Sequence, residues 1–235
     1  VHNFIPRFVP NDNYARGFGF QWNRHAKTQL DKFNGTQITS ERFYAGTQWD
    51  REVIAGQSVL EAGCGAGRFT DVMLAAGMKV YSLDYSSAVD ACLANHGLNP
   101  NLNIVQGNIY QIPYESASFD KVFCFGVLQH TPDVRRSFFS LADMVRPGGS
   151  IAVDVYPKTF TALMHYPRYL LRPLSRRMSA PKLYSLVEHM VDTLLPVSIV
   201  LKRIPVMGKF LYPLVPVANY WGELPPDRQM VREWA

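Results

Sequence analysis

The chain has 235 residues, of which 47% are hydrophobic and 18% charged, and a formal net charge of +5. That length allows one domain, or one domain with an appendage, and the composition is that of an ordinary soluble globular protein, not a low-complexity or repeat chain. Cys64, Cys92 and Cys124 stand in apolar surroundings without metal-type spacing, which argues for reduced thiols and a cytosolic setting and against a disulfide frame or a bound metal. No basic-plus-apolar leader is visible, and the start at Val1 fits a processed or trimmed terminus.

The charge is unevenly spread. Between Lys158 and Lys209 nine Lys or Arg stand against Glu188 and Asp192, an excess of seven. Such a patch suits nucleic acid, an anionic membrane surface or an acidic small substrate, and equally a solvated helical face.

Taken in order, residues 1–56 are aromatic and polar without strand alternation, and Thr39-Ser40-Glu41-Arg42-Phe43 reads as a capped helix start. From Gln57 the rhythm changes. Residues 58–63 (SVLEAG) form a short buried strand, and 68–77 (RFTDVMLAAG) a helix that Gly77 ends. Then come a second strand (KVYSLDY), a helix (SSAVDACLANHG), a third strand (NLNIVQGNI) and a fourth (FDKVFCFGVL). A helix over SFFSLADMV closes at Pro147-Gly148-Gly149, before a fifth strand, SIAVDVY. Strands alternating with helices of this length predict right-handed crossovers and a doubly wound, mostly parallel α/β sheet covered on both faces.

After Tyr156 the pattern breaks. Helices are expected around Phe160–Leu174 and Pro181–Leu195. The apolar stretch that follows is cut by Pro196, Lys202, Arg203, Pro205, Lys209, Pro213 and Pro216, so no transmembrane segment is expected there. The organisation is a lid or cap over 1–56, a ligand-binding core over 57–156, and a helical, Pro-rich, basic insertion or cap over 157–235.

The informative stretch is Glu61-Ala62-Gly63-Cys64-Gly65-Ala66-Gly67. A glycine-rich turn between the first strand and first helix bares backbone N–H groups and lets a ligand approach closely. Its spacing, G-x-G-x-G, departs from the G-x-G-x-x-G of dinucleotide sites. Glu61 at its entrance would repel a diphosphate and suits a ligand carrying an ammonium group. No Gly-Lys-Ser/Thr follows, which excludes a P-loop.

With Asp84 ending the second strand, Gly107-Asn108-Ile109 after the third, Phe125-Gly126-Val127-Leu128-Gln129-His130 after the fourth and Arg146-Pro147-Gly148-Gly149 before the fifth, residues 57–156 resemble the class I S-adenosylmethionine-dependent methyltransferases. The resemblance implies a Rossmann-like methyltransferase fold with a helical N-terminal lid, S-adenosylmethionine as cofactor and S-adenosylhomocysteine as product. It places Glu61, Gly63, Cys64, Gly65 and Gly67 at the methionine end, with Glu61 near the amino group. Asp84 would accept from both ribose hydroxyls, with a helix N-cap as the rival role. Tyr85, Asn108 and Ile109 would surround the adenine, and Phe125 and Gly126 the sulfonium end. Arg68 fits a contact to the cofactor carboxylate or an exposed first-turn position.

Methyl transfer to a hydroxyl needs alignment and removal of one proton. His130 is the candidate base, with packing on Pro132 as its alternative role; His25 and Tyr14 are weaker rivals. The run Tyr14–Asn23 resembles the N-terminal block of methyltransferases found with bacterial surface-glycan and natural-product gene sets, which implies a lid whose aromatics keep water from the methyl donor. Relatives end their sheet with two more strands, so the sequence given is expected to lack its C-terminal part. The expected acceptor is a small molecule, a sugar or a lipid-linked compound, methylated at oxygen by a cytoplasmic protein with peripheral membrane contact. No Asn-Pro-Pro-Tyr motif follows the fourth strand, which disfavours nucleic acid. A non-enzymatic S-adenosylmethionine-binding protein is the other alternative.

Overall fold

Five apolar segments assemble one sheet in a computed structural model that describes residues 1–10, 12–155, 172–175, 177–220 and 231–232. The strands are β1 (Ser58–Ala62), β2 (Lys79–Asp84), β3 (Leu102–Gln106), β4 (Phe119–Cys124) and β5 (Val145–Val153). They lie in the order β3-β2-β1-β4-β5, and every neighbouring pair is parallel. Helices α1 (Arg16–Arg24), α2 (Asp31–Asn34) and α3 (Ile38–Thr47) precede the sheet. The crossovers carry α4 (Arg68–Ala75) and α5 (Val89–His96), and α6 (Val134–Ala142) leads into β5. The chain runs outward from β1 through β2 to β3 and then returns to β4. The strand order therefore reverses beside β1, where ligands of open α/β sheets bind beyond the strand ends.

Both faces are covered because neighbouring strand residues point to opposite sides. Val59, Val80 and Phe123 meet Phe43 of α3 and Phe69, Val72 and Met73 of α4 on one face. On the other, Leu60, Ala62, Leu83 and Val122 meet Leu141 of α6. Phe43 and Phe123 are fully buried with ring centroids 5.3 Å apart, and burying a side chain of that size contributes roughly 1.5–3 kcal/mol. The open edge of β3 is covered by the N-terminal segment: the Phe8 amide donates to the Gln106 carbonyl at 2.8 Å and the Gln106 amide to the Pro6 carbonyl at 2.9 Å. Arg7 fixes that strap, donating to Gln106 Oε1 at 2.7 Å and to Asp90 at 2.6 Å.

Three details differ from the sequence-based expectation. Thr39 and Ser40 do not cap α3 with their own side chains; Asp31 accepts from their backbone amides at 3.1 and 2.9 Å, an acid from the preceding helix doing the capping. The helix before β5 ends at Ala142, and Pro147-Gly148-Gly149 lies inside β5 as an irregularity. There the pairing jumps from Phe119–Val145 to Lys121–Ser150, so Pro147 donates nothing to the ladder and costs it nothing.

The chain divides into two compact units, Val1–Tyr156 and Pro157–Ala235. In the second, α7 (Arg172–Ser175), α8 (Ala180–Lys202) and α9 (Gly208–Leu211) are described, and most of the helix expected around Phe160–Leu174 lies outside the described residues. The expected break at Pro196 is corrected: α8 runs unbroken through it. A proline removes one backbone donor, and inward-facing Val191, Leu195 and Ser198 hold the helix on either side. Over Pro181–Lys202 this helix is long and apolar enough, by length and composition, to cross a membrane, although it carries Lys182, Glu188 and Asp192.

Candidate functional site

Beyond β1 the chain reverses through three left-handed glycines, Gly63 (φ +81°), Gly65 (φ +54°) and Gly67 (φ +86°), before α4 begins at Arg68. Gly63 donates its amide to the Leu83 carbonyl at 2.6 Å, so the loop folds back on the end of β2. A Cβ at Gly63 would lie 2.2 Å from Val127 Cγ2, on the loop after β4. Only glycine fits both the backbone angle and that approach. Cys64 is buried, and its thiol is pushed well up by its contact with Cys92 and by burial, so it stays protonated. All three cysteines are free thiols.

Glu61, the residue before the loop, is 1% exposed. Its carboxylate accepts from Thr70 Oγ1 at 2.5 Å and Ser82 Oγ at 2.7 Å. Burial nevertheless raises its pKa to about 7, against the pull of those hydroxyls. Burial disfavours the charged form of this carboxyl, and a cation brought close to it would favour that form.

Asp84 ends β2 and ties the loop to it. Its Oδ2 accepts from the Gly65 amide at 2.9 Å, and its Oδ1 from the amide and hydroxyl of Ser86 at 2.8 and 2.7 Å. Burial raises its pKa, and those donors pull the other way. The N-cap role does not apply: α5 begins after Ala88, and Asp84 closes only the turn to Ser86. The Gly107 amide donates to the Asp84 carbonyl at 2.9 Å, bringing the end of β3 to the same place. There Ile109 is buried, and Asn108 Oδ1 accepts from the Tyr110 amide at 3.0 Å, keeping a second lone pair for another donor.

The end of β4 closes the other side. Phe125 packs against Phe69 and Phe123, with Gly46 beneath it. Gly126 is left-handed (φ +74°), and its amide donates to Asp154 Oδ1. Asp154 also pairs with Arg42 at 2.6 Å, a link that the sequence alone did not single out. Next, Leu128 is buried while His130 is exposed. Between them, both polar atoms of the Gln129 amide are buried without a hydrogen-bond partner.

Residues 14–22 lie across these strand ends. Tyr14 stacks on Tyr85 with centroids 5.0 Å apart and planes at 23°. Phe18 meets the His130 ring at 5.1 Å. Trp22 lies where a Gly65 side chain would point, its Nε1 3.4 Å from an added Cβ. The spacing of four puts all three aromatics on one side of the segment. Gly19 is the contact between α1 and the turn before α5, since a Cβ there would meet Ser87 Oγ at 2.4 Å. His25 sits at the far end of α1, its amide bonded to the Gln21 carbonyl.

Arg68 is held among protein groups and is not an exposed first-turn side chain: Nε donates to Thr39 Oγ1 at 2.9 Å and Nη1 to Gln29 Oε1 at 3.2 Å. Burial, with Arg42 nearby, lowers its pKa to about 10, so it remains a cation at neutral pH. Thus Gly65 meets Asp84, Gly63 meets Val127 and Trp22 lies against Gly65, around the ends of β1, β2 and β4, while Glu61 at the end of β1 is held by Thr70 and Ser82. Among the described residues no cluster of His, Cys, Asp or Glu could hold a metal.

Three features fit S-adenosylmethionine: a loop of three left-handed glycines with bare backbone at the strand ends, a buried acid leading into it for an ammonium group, and the acid at the end of β2 for sugar hydroxyls.

Comparison with known proteins agrees. A family model described as a methyltransferase domain matches residues 60–153. The chain is 32% identical over 130 residues to a ubiquinone biosynthesis O-methyltransferase of Albidiferax ferrireducens, covering 52% of each chain. It is 33% identical over 136 residues to a probable S-adenosylmethionine-dependent methyltransferase of Mycolicibacterium smegmatis, covering 57% of this chain and 51% of that one. The mitochondrial ubiquinone biosynthesis O-methyltransferase of Schizosaccharomyces pombe is 29% identical over 154 residues, 60% of this chain and 55% of that one. The chain therefore spans about half the length of the curated relatives it matches.

Proposed function

We propose that this chain, whose residues 60–153 match a methyltransferase domain, is a class I S-adenosylmethionine-dependent enzyme that transfers a methyl group to oxygen on a small organic acceptor, of the sugar or lipid-linked kind. The observation that carries the reading is the joining of Gly65 to Asp84 across the β1 and β2 ends, with the buried Glu61 on the strand that leads into the loop. That arrangement offers backbone contact, an acid for sugar hydroxyls and an acid for an ammonium group within one loop. The name of the relatives from Albidiferax and Schizosaccharomyces supports a small-molecule acceptor and oxygen as the methylated atom.

S-adenosylmethionine supplies a methyl group on a sulfonium and leaves as S-adenosylhomocysteine. The chain's own groups divide the work. Glu61 and the loop 63–67 hold the methionine end. Asp84 holds the ribose, while Tyr85, Asn108 and Ile109 border the adenine. Phe125 and Gly126 wall the reacting end, and His130, on the loop after β4, takes the acceptor's proton. Tyr14, Phe18 and Trp22 cover the crevice from the N-terminal side and keep water out of it. Three buried thiols suit a reducing compartment.

Incubation with radiolabelled S-adenosylmethionine and fractionated cell extract tests this reading. Label in a small or lipid-soluble product, absent with Asp84→Ala, is the expected result. Cofactor binding without labelled product in any fraction would replace the enzyme with a binding protein, and label in RNA or DNA would overturn the small-molecule acceptor.

A further inference from the structure

At the end of α8 the chain turns through Arg203–Met207 into α9, and the turn is bare. Val200, Ile204, Val206, Met207 and Phe210 are 62, 40, 77, 61 and 60% exposed. Soluble proteins scatter single apolar side chains over their surfaces but do not usually gather five large ones at one helix–turn–helix tip. Val206 has φ +61°, a conformation that a β-branched residue adopts only under constraint. Gly208 makes the tight return possible, because a Cβ there would meet the Leu201 carbonyl oxygen at 2.5 Å. The tip is braced from behind: Lys202 Nζ donates to the Asn219 carbonyl at 3.2 Å and lies 5.5 Å from the Tyr212 ring centre, and Asn219 Nδ2 donates to buried Ser198 at 3.0 Å. A rigid base thus presents apolar side chains outward through a strained turn.

The charge that flanks the tip in the sequence has one sign. Between Asp192 and Glu223 the sequence holds Lys202, Arg203 and Lys209 and no acid. We propose that this tip is a membrane anchor: Val206, Met207 and Phe210 enter the interfacial layer of an anionic bilayer, to which the net positive charge of this stretch of chain draws them. Apolar insertion combined with electrostatic attraction is what stable peripheral binding requires, since either alone is weak. A second copy of the chain fits less well, because a two-fold contact through the tip would bring Lys202 and Arg203 of both copies together. The opposite half of α8 suits water: Glu188 and Asp192 lie there, and Asp192 is bonded to Arg232.

The inference deepens the lipid-linked branch of the proposed function by giving the protein a place beside a membrane-borne acceptor. Its test uses no methyl donor and no acceptor, so its failure leaves methyl transfer untouched, and failure of methyl transfer leaves the anchor standing. The whole chain is sedimented with vesicles of phosphatidylcholine alone and of phosphatidylcholine mixed equally with phosphatidylglycerol. The bound fraction is expected to give an affinity about tenfold or more higher for the anionic vesicles, and Val206→Asp combined with Met207→Asp should lower it about tenfold or more. Val206→Gly removes the side chain and relieves the φ strain, so it should weaken vesicle binding severalfold while the melting temperature stays level or rises. Equal binding to both vesicles, no binding, or unchanged binding by the double variant would overturn the proposal. So would light scattering that shows a dimer which the double variant dissociates, because the tip would then be a self-association surface.

Discussion

Glu61→Gln isolates the charge beneath the glycine loop. The carboxyl is fully buried, and its pKa rises from 4.5 to about 7 mainly through desolvation. A folded-state pKa above the unfolded one means that the folded protein binds the proton more tightly. The associated stability is fully present below pH 4.5 and is lost as pH rises through 7. A shift of about 2.5 units at 1.36 kcal/mol per unit amounts to roughly 3 kcal/mol, of which about 2.5 kcal/mol is lost between pH 5 and pH 8. Glutamine keeps the shape and can still accept from Thr70 and Ser82, but it has no proton to lose. Urea unfolding of both proteins at pH 5 and pH 8 gives the double difference, in which all other titrations cancel. The variant should gain about 2.5 kcal/mol on the parent between the two pH values. Its affinity for S-adenosylmethionine at pH 8 should meanwhile fall tenfold or more, because the ammonium partner is gone. Parallel stability profiles would refute the burial argument, and an unchanged affinity would refute the ammonium role.

Gly63→Ala should destabilise the core by about 2–4 kcal/mol, from the left-handed backbone penalty and the 2.2 Å approach to Val127. Adding Val127→Ala should return the packing part of that loss in the same urea assay, and no recovery would mean that the backbone angle carries all of it. Asp84→Ala frees the Gly65 amide and both Ser86 donors. Cofactor affinity by calorimetry should drop tenfold or more while far-ultraviolet circular dichroism stays native, and an unchanged affinity would remove Asp84 from the site. His130→Gln should lower kcat by about 10²–10⁴ with cofactor affinity intact. An unchanged kcat would assign the proton transfer to another group.

Much of this was legible in the sequence because periodicity and special backbone angles leave local traces. The strands β1 to β4 and the second half of β5 are short runs with apolar cores, and Gly77 and Gly97 follow the helices they end with positive φ. The G-x-G-x-G loop and Asp84 could be read as one site because strand ends in a parallel sheet converge by topology. What escaped was carried by contacts distant in sequence. Asp31 capping α3, Asp154 holding both Gly126 and Arg42, and Val127 seated against Gly63 have no local signature. The run of α8 through Pro196 escaped for another reason: a proline weighs heavily in a local reading, since it removes a backbone donor and crowds the preceding turn, yet packing of the buried face at Val191, Leu195 and Ser198 can outweigh that cost.

Isothermal titration of the purified chain with S-adenosylmethionine, and separately with a nicotinamide dinucleotide, tests the central claim most directly. One equivalent of the sulfonium nucleoside should bind, with affinity lost in Asp84→Ala, and the dinucleotide should give no heat. Binding of the dinucleotide in its place, or silence with both, would contradict the site described between Glu61 and Asp84.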